Sequence, residues 1–297
     1  MKNVRMTIWV TAIAAMLVLL GATQAQATWT TIDYPGASET LAHGIDGDNI
    51  VGYYSDGSIH HGFVYDGLSY TRLDMPGATA TYAWDIDGDN IVGHYSDGTG
   101  GHGFVYEGIS YTTLDYPGAT ATNAYGIDGD RIVGDYSDGS KWRGFLYDGL
   151  SYTTLDMPGA QRTWAHGIDG DNIIGYYYDG SIYRGFVYDG LSYTALDRPG
   201  ATFTTAYGID GDSIVGDYYD GSRWHGFVYE GISYTTLDYP GAANTRAYGI
   251  DGDRIVGPYW DGSVTSGGHG FVYVIPEPST LLLLGFGAMM LRLRTKH

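Results

Sequence analysis

Short runs in which apolar and polar residues alternate fill the chain from residue 28 to residue 273. One stretch shows the pattern clearly, with runs at Asn123–Asp128, Arg131–Tyr136, Trp142–Tyr147 and Ser151–Asp156. Each run has about six residues, is rich in aromatic and β-branched types, and lies between Asp, Gly or Pro turn signals, which is typical of β-strands. The pattern predicts an all-β protein made of four-strand units, whose strands we letter a to d in chain order.

The turn residues predict how these strands connect. Asp128-Gly129 separates strands a and b, and Asp148-Gly149 separates strands c and d. An Asp-Gly step supplies the positive φ angles of tight hairpins. Pro158-Gly159 follows strand d and fits a type II turn that begins a longer crossing to the next unit. Each unit is therefore expected to be an antiparallel meander.

The four-strand unit occurs six times at a fixed interval. The proline of its Pro-Gly step recurs every 41 residues, at Pro35, Pro76, Pro117, Pro158, Pro199 and Pro240. A period of roughly 40–45 residues with four strands per repeat is the signature of a β-propeller blade. We therefore predict a six-bladed β-propeller over residues 28–273.

The two ends of this region predict how the ring closes. An isolated d-type strand, Trp29–Asp33, comes first, and the last repeat stops after its c-type strand, His269–Tyr273. Pairing these strands completes the sixth blade from one N-terminal and three C-terminal strands, and it removes the open sheet edges that invite aggregation. An open solenoid of stacked repeats is the alternative, and it leaves the two end strands without a role.

The N-terminal segment, residues 1–27, has the features of a signal peptide. Lys2 and Arg5 precede an apolar run from Ile8 to Leu20, and Ala25-Gln26-Ala27 supplies the small residues of a cleavage site before Thr28. A membrane anchor that is not cleaved is the alternative, but the run is shorter than the roughly 20 residues that a span requires. We therefore expect the protein to be exported through the inner membrane.

The C-terminal segment, residues 274–297, has three parts in order. Pro276-Glu277-Pro278 comes first, an apolar run from Leu281 to Leu291 follows, and the end is basic, with Arg292, Arg294 and Lys296. This order resembles the PEP-CTERM sorting signal of Gram-negative bacteria. The resemblance implies transient anchoring in the inner membrane, an exosortase-type processing enzyme as partner, and a final place at the cell surface, in a biofilm or exopolysaccharide matrix, or in the medium. A plain C-terminal membrane anchor is the alternative, and the basic end would stay cytoplasmic in either case.

A short motif marks each repeat. In the first repeat it reads His61-Gly62-Phe63, with Gly44-Ile45-Asp46 and Ile50-Val51-Gly52-Tyr53 upstream. The motif is similar to the bacterial extracellular repeat of the HAF family, named for a His-Ala-Phe step. Here Gly replaces Ala, and Arg143 and Arg184 replace the histidine in two copies. The resemblance implies an exported repeat protein and gives no activity.

Composition narrows the classes of partner. The chain has no cysteine, so disulfides and thiolate metal sites cannot contribute, and burial must stabilise the fold in an oxidising compartment. Its formal net charge is −19 at pH 7, which argues against nucleic acid and anionic lipid as partners of the whole surface. The sequence predicts no cofactor.

Two sets of residues raise the question of a metal site. Asp46-Gly47-Asp48 and its copies could offer oxygens to calcium, but Val51 stands where an EF-hand loop needs glycine, and hairpin turns explain these aspartates by themselves. Calcium stays an open alternative. His61 and its three copies in strand c are expected well over ~10 Å apart, whereas zinc needs ligands at about 2 Å. We predict packing or hydrogen bonds for these imidazoles and no metal site.

Strand a is expected to lie nearest the axis of the ring. One of its positions reads His43, Trp84, Tyr125, His166, Tyr207 and Tyr248 from blade 1 to blade 6. We predict that these large side chains pack near the axis against small residues of the neighbouring strand. Asp85 stands where the other five blades have glycine, which makes it the one irregular carboxylate near the axis.

The six copies differ mainly on one side of the predicted ring. Because the strands alternate in direction, the b–c loops and d–a crossings share one face and the tight hairpins share the other. The hairpins are nearly identical, whereas the loop side carries basic and aromatic residues in an otherwise acidic protein. We predict a ligand-binding site there, formed by Lys141, Trp142, Arg162, Trp164, Arg223, Trp224 and Arg246.

These observations predict a binding or structural module of the cell surface or matrix, without catalytic activity. Arginines could pair with the carboxylates or sulfates of an acidic polysaccharide, and Trp rings could stack on its sugars. An extracellular glycan-active enzyme, a hydrolase or lyase using the loop side or the central channel, is the alternative. Glycosidases use two carboxyl groups about 5–10 Å apart, and the sequence shows no isolated partner for Asp85. A matrix component without a small-molecule ligand is the third reading.

Overall fold

The computed structural model describes residues 27–263 and 267–276. Residues Trp29–Tyr273 form one compact unit, in which six antiparallel four-stranded sheets are arranged in a ring. This confirms the predicted six-bladed β-propeller. The described part of the chain contains no helix that is long and apolar enough to cross a membrane.

Some predictions concern residues outside that description. Ala25 of the cleavage site and Glu277 and Pro278 of the sorting motif lie there, while Ala27 and Pro276 are its first and last residues. The signal peptide and its cleavage site therefore stay predictions.

The blades follow one pattern, in which strand b pairs with a and c, and strand d pairs with c at the outer edge. The strands of blades 1 to 3 are Glu39–Asp46, Asn49–Ser55, His60–Tyr65 and Tyr70–Leu73; Ala80–Asp87, Asn90–Ser96, Gly101–Glu107 and Tyr111–Leu114; Ala121–Asp128, Arg131–Ser137, Trp142–Tyr147 and Tyr152–Leu155. Those of blades 4 to 6 are Arg162–Asp169, Asn172–Tyr178, Tyr183–Tyr188 and Tyr193–Leu196; Phe203–Asp210, Ser213–Tyr219, Trp224–Glu230 and Ser233–Leu237; Asn244–Thr245 with Gly249–Asp251, Arg254–Trp260, His269–Val274 and Thr28–Ile32.

The sixth blade closes the ring as the sequence predicts. Its outermost strand, Thr28–Ile32, pairs with the last strand, His269–Val274. The Trp29 ring lies 5.0 Å from the Phe271 ring, 4.5 Å from Tyr273 and 5.3 Å from Tyr239, measured between centroids. The N-terminal strand thus gives the sixth blade both backbone pairing and aromatic packing.

Strand a of blade 6 is interrupted between Thr245 and Gly249. Arg246 still donates its backbone N–H to the Pro258 carbonyl at 3.0 Å, but Pro258 has no N–H to donate in return. The equivalent pair in blade 3, Asn123 and Asp135, lies within a continuous ladder. The interruption is therefore caused by Pro258, and it occurs at Arg246, one of the residues predicted to bind a ligand.

The hydrophobic core lies between adjacent blades. Around Phe104 of blade 2, for example, blade 1 contributes Val51 and Leu73 while blade 2 contributes Ile91 and Tyr95. Each strand c supplies one phenylalanine with no exposed surface: Phe63, Phe104, Phe145, Phe186, Phe227 and Phe271. Because neighbouring blades share each core, every blade is stabilised by the two beside it, and ring closure supplies the core between blades 6 and 1.

The a–b and c–d hairpins lie on one face of the ring, which we call the hairpin face, and the b–c loops and d–a crossings lie on the loop face. At each a–b turn a glycine with positive φ, such as Gly88 at +57°, makes the tight reversal. The Gly88 N–H donates to the Asp46 carboxylate of the preceding blade at 2.7 Å. Six such bonds, of 2.6 to 2.9 Å, form a closed circle around the hairpin face. These aspartates therefore tie neighbouring blades together.

Candidate functional site

A row of ion pairs surrounds the loop face at strand c. His225 lies between two carboxylates, with Nδ1 2.9 Å from Asp238 and Nε2 3.1 Å from Asp220. Arg184 makes the same two contacts, at 2.9 and 2.6 Å, with the equivalent aspartates of blade 4. A histidine or an arginine can occupy this position because either side chain reaches both the carboxylate of the b–c loop and the one that follows strand d. The hydrogen-bonding role predicted for these imidazoles accounts for their contacts.

Lys141 and Arg223, two of the residues predicted to bind a ligand, belong to the same row of ion pairs. The Lys141 Nζ atom lies 3.3 Å from Asp156, and the Arg223 Nη2 atom donates to Asp238 at 2.6 Å. Arg223 also donates to the Ala242 carbonyl at 3.1 Å. Their charges are therefore already balanced within the protein. Both side chains are partly exposed, and their carboxylate partners follow strand d, so their part in ligand binding stays a prediction.

Four aromatic side chains form a continuous row across blades 4 and 5 of the loop face, which we call the aromatic belt. Trp164 contacts Tyr183 at 5.9 Å, Tyr183 contacts Phe203 at 6.0 Å, and Phe203 contacts Trp224 at 6.2 Å between ring centroids. Trp164 and Trp224 are half-buried, and Tyr183 is 37 % exposed. Neighbouring ring planes are inclined by 48°, 72° and 21°, so the belt presents partly exposed ring edges and faces rather than one flat platform. Such side chains offer a large apolar contact area to a ligand.

Arg246 extends the belt into blade 6. Its guanidinium carbon lies 4.6 Å from the Trp224 ring centroid and 5.8 Å from that of Trp260, within the range of cation–π attraction. Arg246 Nε is 3.2 Å from the buried carboxylate of Asp217. Burial raises the pKa of Asp217 to about 6, although Arg246 opposes the shift. The guanidinium is thus fixed between two indole rings and a carboxylate, and it remains partly exposed.

The other predicted site residues have different surroundings. Arg162 is exposed at the start of strand a in blade 4 and has no ion pair among the described residues. Trp142 is half-buried at the start of strand c in blade 3 and is not part of the belt. Trp260 and Asp217 were not predicted. Trp260 stands at the last position of strand b, where other repeats have serine or tyrosine, and that irregularity is the signal that could have indicated it.

The axis of the ring is closed by the six aromatic side chains predicted to pack there. In blades 1 to 5 a bulge in strand a, seen in blade 3 between Ala124 and Gly126, lies at the position of the aromatic residue, and in blade 6 strand a is interrupted there. Their rings touch in an unbroken circle, with neighbouring centroids 4.1 to 5.0 Å apart. Burial lowers the pKa of His166 to about 3, so this ring is neutral at physiological pH. The circle is a packed plug and offers space of about 20 Å³.

Asp85 lies in the channel on the hairpin side of this plug. It lines a cavity of about 40 Å³ beside the aromatic circle and a wider one of about 130 Å³ that is bounded by isoleucines and the turn aspartates. The Ile127 N–H donates to its carboxylate at 3.1 Å. Burial raises the pKa of Asp85 to about 7, more than the hydrogen bonds from Ile127 and Ile86 lower it. Among the described residues, no group of three or more His, Asp or Glu side chains could hold a metal ion.

A third buried carboxyl group lies on the loop side, in strand b of blade 3. Asp135 is 1 % exposed and accepts a hydrogen bond from Asn123 Nδ2 at 2.7 Å. Burial raises the pKa of Asp135 to about 8, which favours its protonated form. Sequence reasoning missed it, because aspartate at a strand position carries no signal that tells a buried group from an exposed one.

One family model matches the chain, and it does so at the C-terminus. Residues 274–296 match the PEP-CTERM protein-sorting motif. This supports the sorting signal predicted from Pro276-Glu277-Pro278 and implies export with membrane-associated processing of the C-terminus. A search of curated protein sequences found no significant match.

Solved structures share the fold at low sequence identity. SapL1 lectin, solved with alpha methyl fucoside, is 13 % identical with a TM-score of 0.53, over 82 % of this chain and 98 % of the lectin. The β-propeller domain of the Trilobed protease from Pyrococcus furiosus is also 13 % identical, with a TM-score of 0.52 over 80 % and 81 % of the two chains. Pyrococcus horikoshii acylaminoacyl peptidase, 13 % identical with a TM-score of 0.51, matches 80 % of this chain and 43 % of its own. These similarities establish the architecture alone.

Proposed function

We propose that the protein is an exported, non-enzymatic module of the cell surface or exopolysaccharide matrix, which binds an acidic polysaccharide on its loop face. The observation that carries the proposal is the aromatic belt, in which Trp164, Tyr183, Phe203 and Trp224 follow one another across two blades. A row of rings that is partly exposed fits a chain of sugars better than a single small ligand.

The acidic character of the ligand is proposed from two cations at the ends of the belt. Arg162 is exposed on the strand that carries Trp164, and Arg246 lies over Trp224. Since Lys141 and Arg223 are paired internally, stacking is expected to supply most of the affinity, with one or two carboxylates or sulfates held by the remaining arginines.

The fold by itself does not select this function, because the ring is shared by a fucoside-binding lectin and by peptidases. The proposed location follows from the sorting motif at residues 274–296, which implies export. Membership of the HAF repeat family, attachment to a matrix and processing by an exosortase-type enzyme belong to the same proposal.

The proposal is tested by affinity electrophoresis in gels that contain an acidic polysaccharide, a neutral one or none. Trp164→Ala combined with Trp224→Ala should reduce retention by about tenfold or more, because each lost anchor commonly costs over ~1 kcal/mol. Ile232→Ala is the matched control, since Ile232 is a 97 % exposed apolar residue on the hairpin face. Equal retention of the parent and the double variant on every polysaccharide would contradict the proposal.

An enzyme acting on glycans remains the alternative because three carboxyl groups, Asp85, Asp135 and Asp217, have raised pKa values. We favour binding without catalysis, since the Asp135 and Asp217 carboxyls are almost fully buried and a reacting acid must reach its substrate. The enzyme would be supported instead if new reducing ends or unsaturated sugars appeared during incubation and Asp85→Asn, in the channel, abolished them.

A further inference from the structure

Three pairs of tyrosines lie face to face at unusually short distances. Tyr34 and Tyr54 have ring centroids 3.6 Å apart with 6° between the planes. Tyr116 and Tyr136 are 3.6 Å apart at 4°, and Tyr239 and Tyr259 are 3.7 Å apart at 2°. Aromatic pairs usually have centroids about 4.5–7 Å apart and avoid the parallel sandwich. In each pair, one ring precedes the proline of a d–a crossing and the other belongs to strand b of the next blade.

The hydroxyl groups of two of these pairs converge on one threonine. In blade 3 both phenols are within hydrogen-bond distance of Thr154 Oγ1, Tyr116 at 2.9 Å and Tyr136 at 3.0 Å. In blade 6 Thr31 Oγ1 lies 2.7 Å from Tyr239 and 3.2 Å from Tyr259. Because both oxygens point to the same atom, the rings are held in register, and the carbons next to the two hydroxyls face each other.

We propose that these three pairs are sites of oxidative cross-linking, at which a one-electron oxidant of the peroxidase and hydrogen peroxide class joins each pair into dityrosine. Each phenol gives up one electron and its hydroxyl proton, which leaves two phenoxyl radicals. The radicals form one carbon–carbon bond between ortho carbons, and the hydrogens on those carbons move to the oxygens and restore both phenols. Hydrogen peroxide accepts the two electrons and two protons and becomes two molecules of water.

The other tyrosine neighbours are placed less favourably for this bond. Tyr65 and Tyr70, at the hairpin of strands c and d in blade 1, are 4.5 Å apart and inclined by 29°, and the Tyr65 hydroxyl donates to the Gly67 carbonyl instead. The corresponding pair in blade 3, Tyr147 and Tyr152, is 4.8 Å apart and inclined by 40°. The chain has 29 tyrosines, so close parallel stacking is what distinguishes the three pairs.

The same architecture supplies internal controls. At the position of Tyr116, blade 2 has Met75 and blade 4 has Met157, each packed in a core that contains the strand-b tyrosine, Tyr95 or Tyr177. In blade 5 Arg198 lies over the Tyr218 ring, 3.8 Å from its centroid. These three blades hold one phenol at the site and cannot form the link.

The chain carries an export-sorting motif and has no cysteine, so a dityrosine link would supply a covalent bond that disulfides cannot. The joined residues are partners from neighbouring parts of the ring, so the bond would close a covalent loop from a crossing to the next strand b, as a disulfide does. We expect the cross-linked monomer to melt about 5–10 °C higher than the untreated protein, by analogy with loop closure by disulfides.

The test treats the purified protein with a plant peroxidase and hydrogen peroxide. A separate reaction uses a photo-activated ruthenium complex and persulfate, whose small size suits pairs in which Tyr54 and Tyr136 are buried. Monomer is isolated under denaturing conditions and examined for dityrosine fluorescence and for cross-linked peptides by mass spectrometry. Each link should lower the mass by two hydrogen atoms. We expect cross-linked peptides that join Tyr116 to Tyr136 and Tyr239 to Tyr259, and in smaller amount peptides that join Tyr34 to Tyr54. No link should involve Tyr95 or Tyr177.

The matched variant carries Tyr34→Met, Tyr116→Met and Tyr239→Met. Methionine is chosen because blades 2 and 4 have it at the equivalent position, as Met75 and Met157. Monomer fluorescence should fall by about fivefold or more, with circular dichroism unchanged. If this variant folds poorly, Tyr→Phe changes at the same three positions keep the rings and remove only the oxygens. Undiminished monomer fluorescence in a folded variant, or links confined to pairs such as Tyr65 and Tyr70 or to contacts between molecules, would overturn the proposal.

Discussion

The carboxylate of Asp128 accepts the backbone N–H of Gly170 in the next blade at 2.9 Å. The same bond occurs at every interface of the ring and forms a circle on the hairpin face. The bond gives the first aspartate of each Asp-Gly-Asp turn a structural role, since its acceptor oxygen satisfies a turn amide of another blade.

Replacement of Asp128 tests this role. Asp128→Ala should lower the free energy of unfolding by about 1 kcal/mol, because one hydrogen bond to a carboxylate near the surface is lost. Asp130→Ala removes the same charge from the same turn, but Asp130 is not part of the circle, so its effect should be close to zero. Urea denaturation at one pH compares the two, and equal effects would assign the loss to charge rather than to the inter-blade bond.

We expect the closure of the ring to depend on the packing of Trp29. Trp29→Ala removes contacts with Tyr239, Phe271 and Tyr273. It should destabilise the protein by about 3 kcal/mol, the lower end of the range for buried aromatic truncations, because this ring is half-buried. Thr30→Ala, at an exposed position of the same strand, should change the melting temperature little. Deleting Trp29 to Asp33 should cause aggregation or a much lower melting temperature, because strand c of blade 6 loses its backbone partner. A deletion variant that melts at the parent's temperature would show that the ring does not need this strand.

The circular architecture could be predicted because it repeats. Every blade carries the same turns and the same buried phenylalanine, and the d-type strand before the first repeat complements the missing strand of the last one. The aromatic circle around the axis followed from one position in strand a. The bulge at that position could not be predicted, because it arises from backbone packing of neighbouring blades and leaves no residue signature in the alternation.

The candidate site could be predicted only in part, because the sequence does not show which charged side chains pair with each other. Sequence placed Arg223 and Arg246 on the same face, but it could not show that Arg223 meets Asp238 while Arg246 lies over Trp224. Asp238 follows strand d and is distant from the loop in the linear pattern. Ion pairing depends on which strands are brought together, so the number of free cations follows from the fold rather than from composition.

Arg143 offers a test of the ion-pair row. Arg143 bridges Asp138 and Asp156, and four other blades place histidine at this position. Arg143→His should therefore leave the melting temperature nearly unchanged below about pH 6, where imidazole is charged. Arg143→Met leaves Asp138 without a cation and Asp156 with Lys141 alone, and it should lower the melting temperature. Similar melting temperatures for Arg143→Met and the parent would indicate that the bridge contributes little, as exposed ion pairs often do.

The buried carboxyl group of Asp135 should make the protein less stable as pH rises. Its pKa is raised by burial to about 8, so the native state keeps a proton that the unfolded chain releases near pH ~4. Stability should fall as pH rises through the range between these two values. Asp135→Asn keeps a neutral acceptor for Asn123 and should be more stable than the parent by about 2 kcal/mol or more at pH ~9.

Measurement above pH ~7 isolates this carboxyl from the buried histidines. Burial lowers the pKa of His94 to about 4 and that of His166 to about 3. These groups reduce stability only as pH falls below their unfolded value of about 6.5. Thermal unfolding of both proteins from neutral to alkaline pH tests the prediction, with Asp130→Asn as the exposed control. Parallel curves for Asp135→Asn and the parent would mean that Asp135 is already ionised in the native state.

Arg162 and Arg223 should differ in their effect on polysaccharide binding although both lie on the loop face. Arg162 is exposed at the end of the belt, whereas Arg223 is held by Asp238 and the Ala242 carbonyl. Arg162→Ala should weaken retention on an acidic polysaccharide by about threefold to tenfold, with a loss that shrinks as salt rises, because exposed charges are screened over about 8–10 Å. Arg223→Ala should lower the melting temperature and leave retention unchanged. The opposite pattern, with binding lost in Arg223→Ala and kept in Arg162→Ala, would move the ligand away from the belt and towards the ion-pair row.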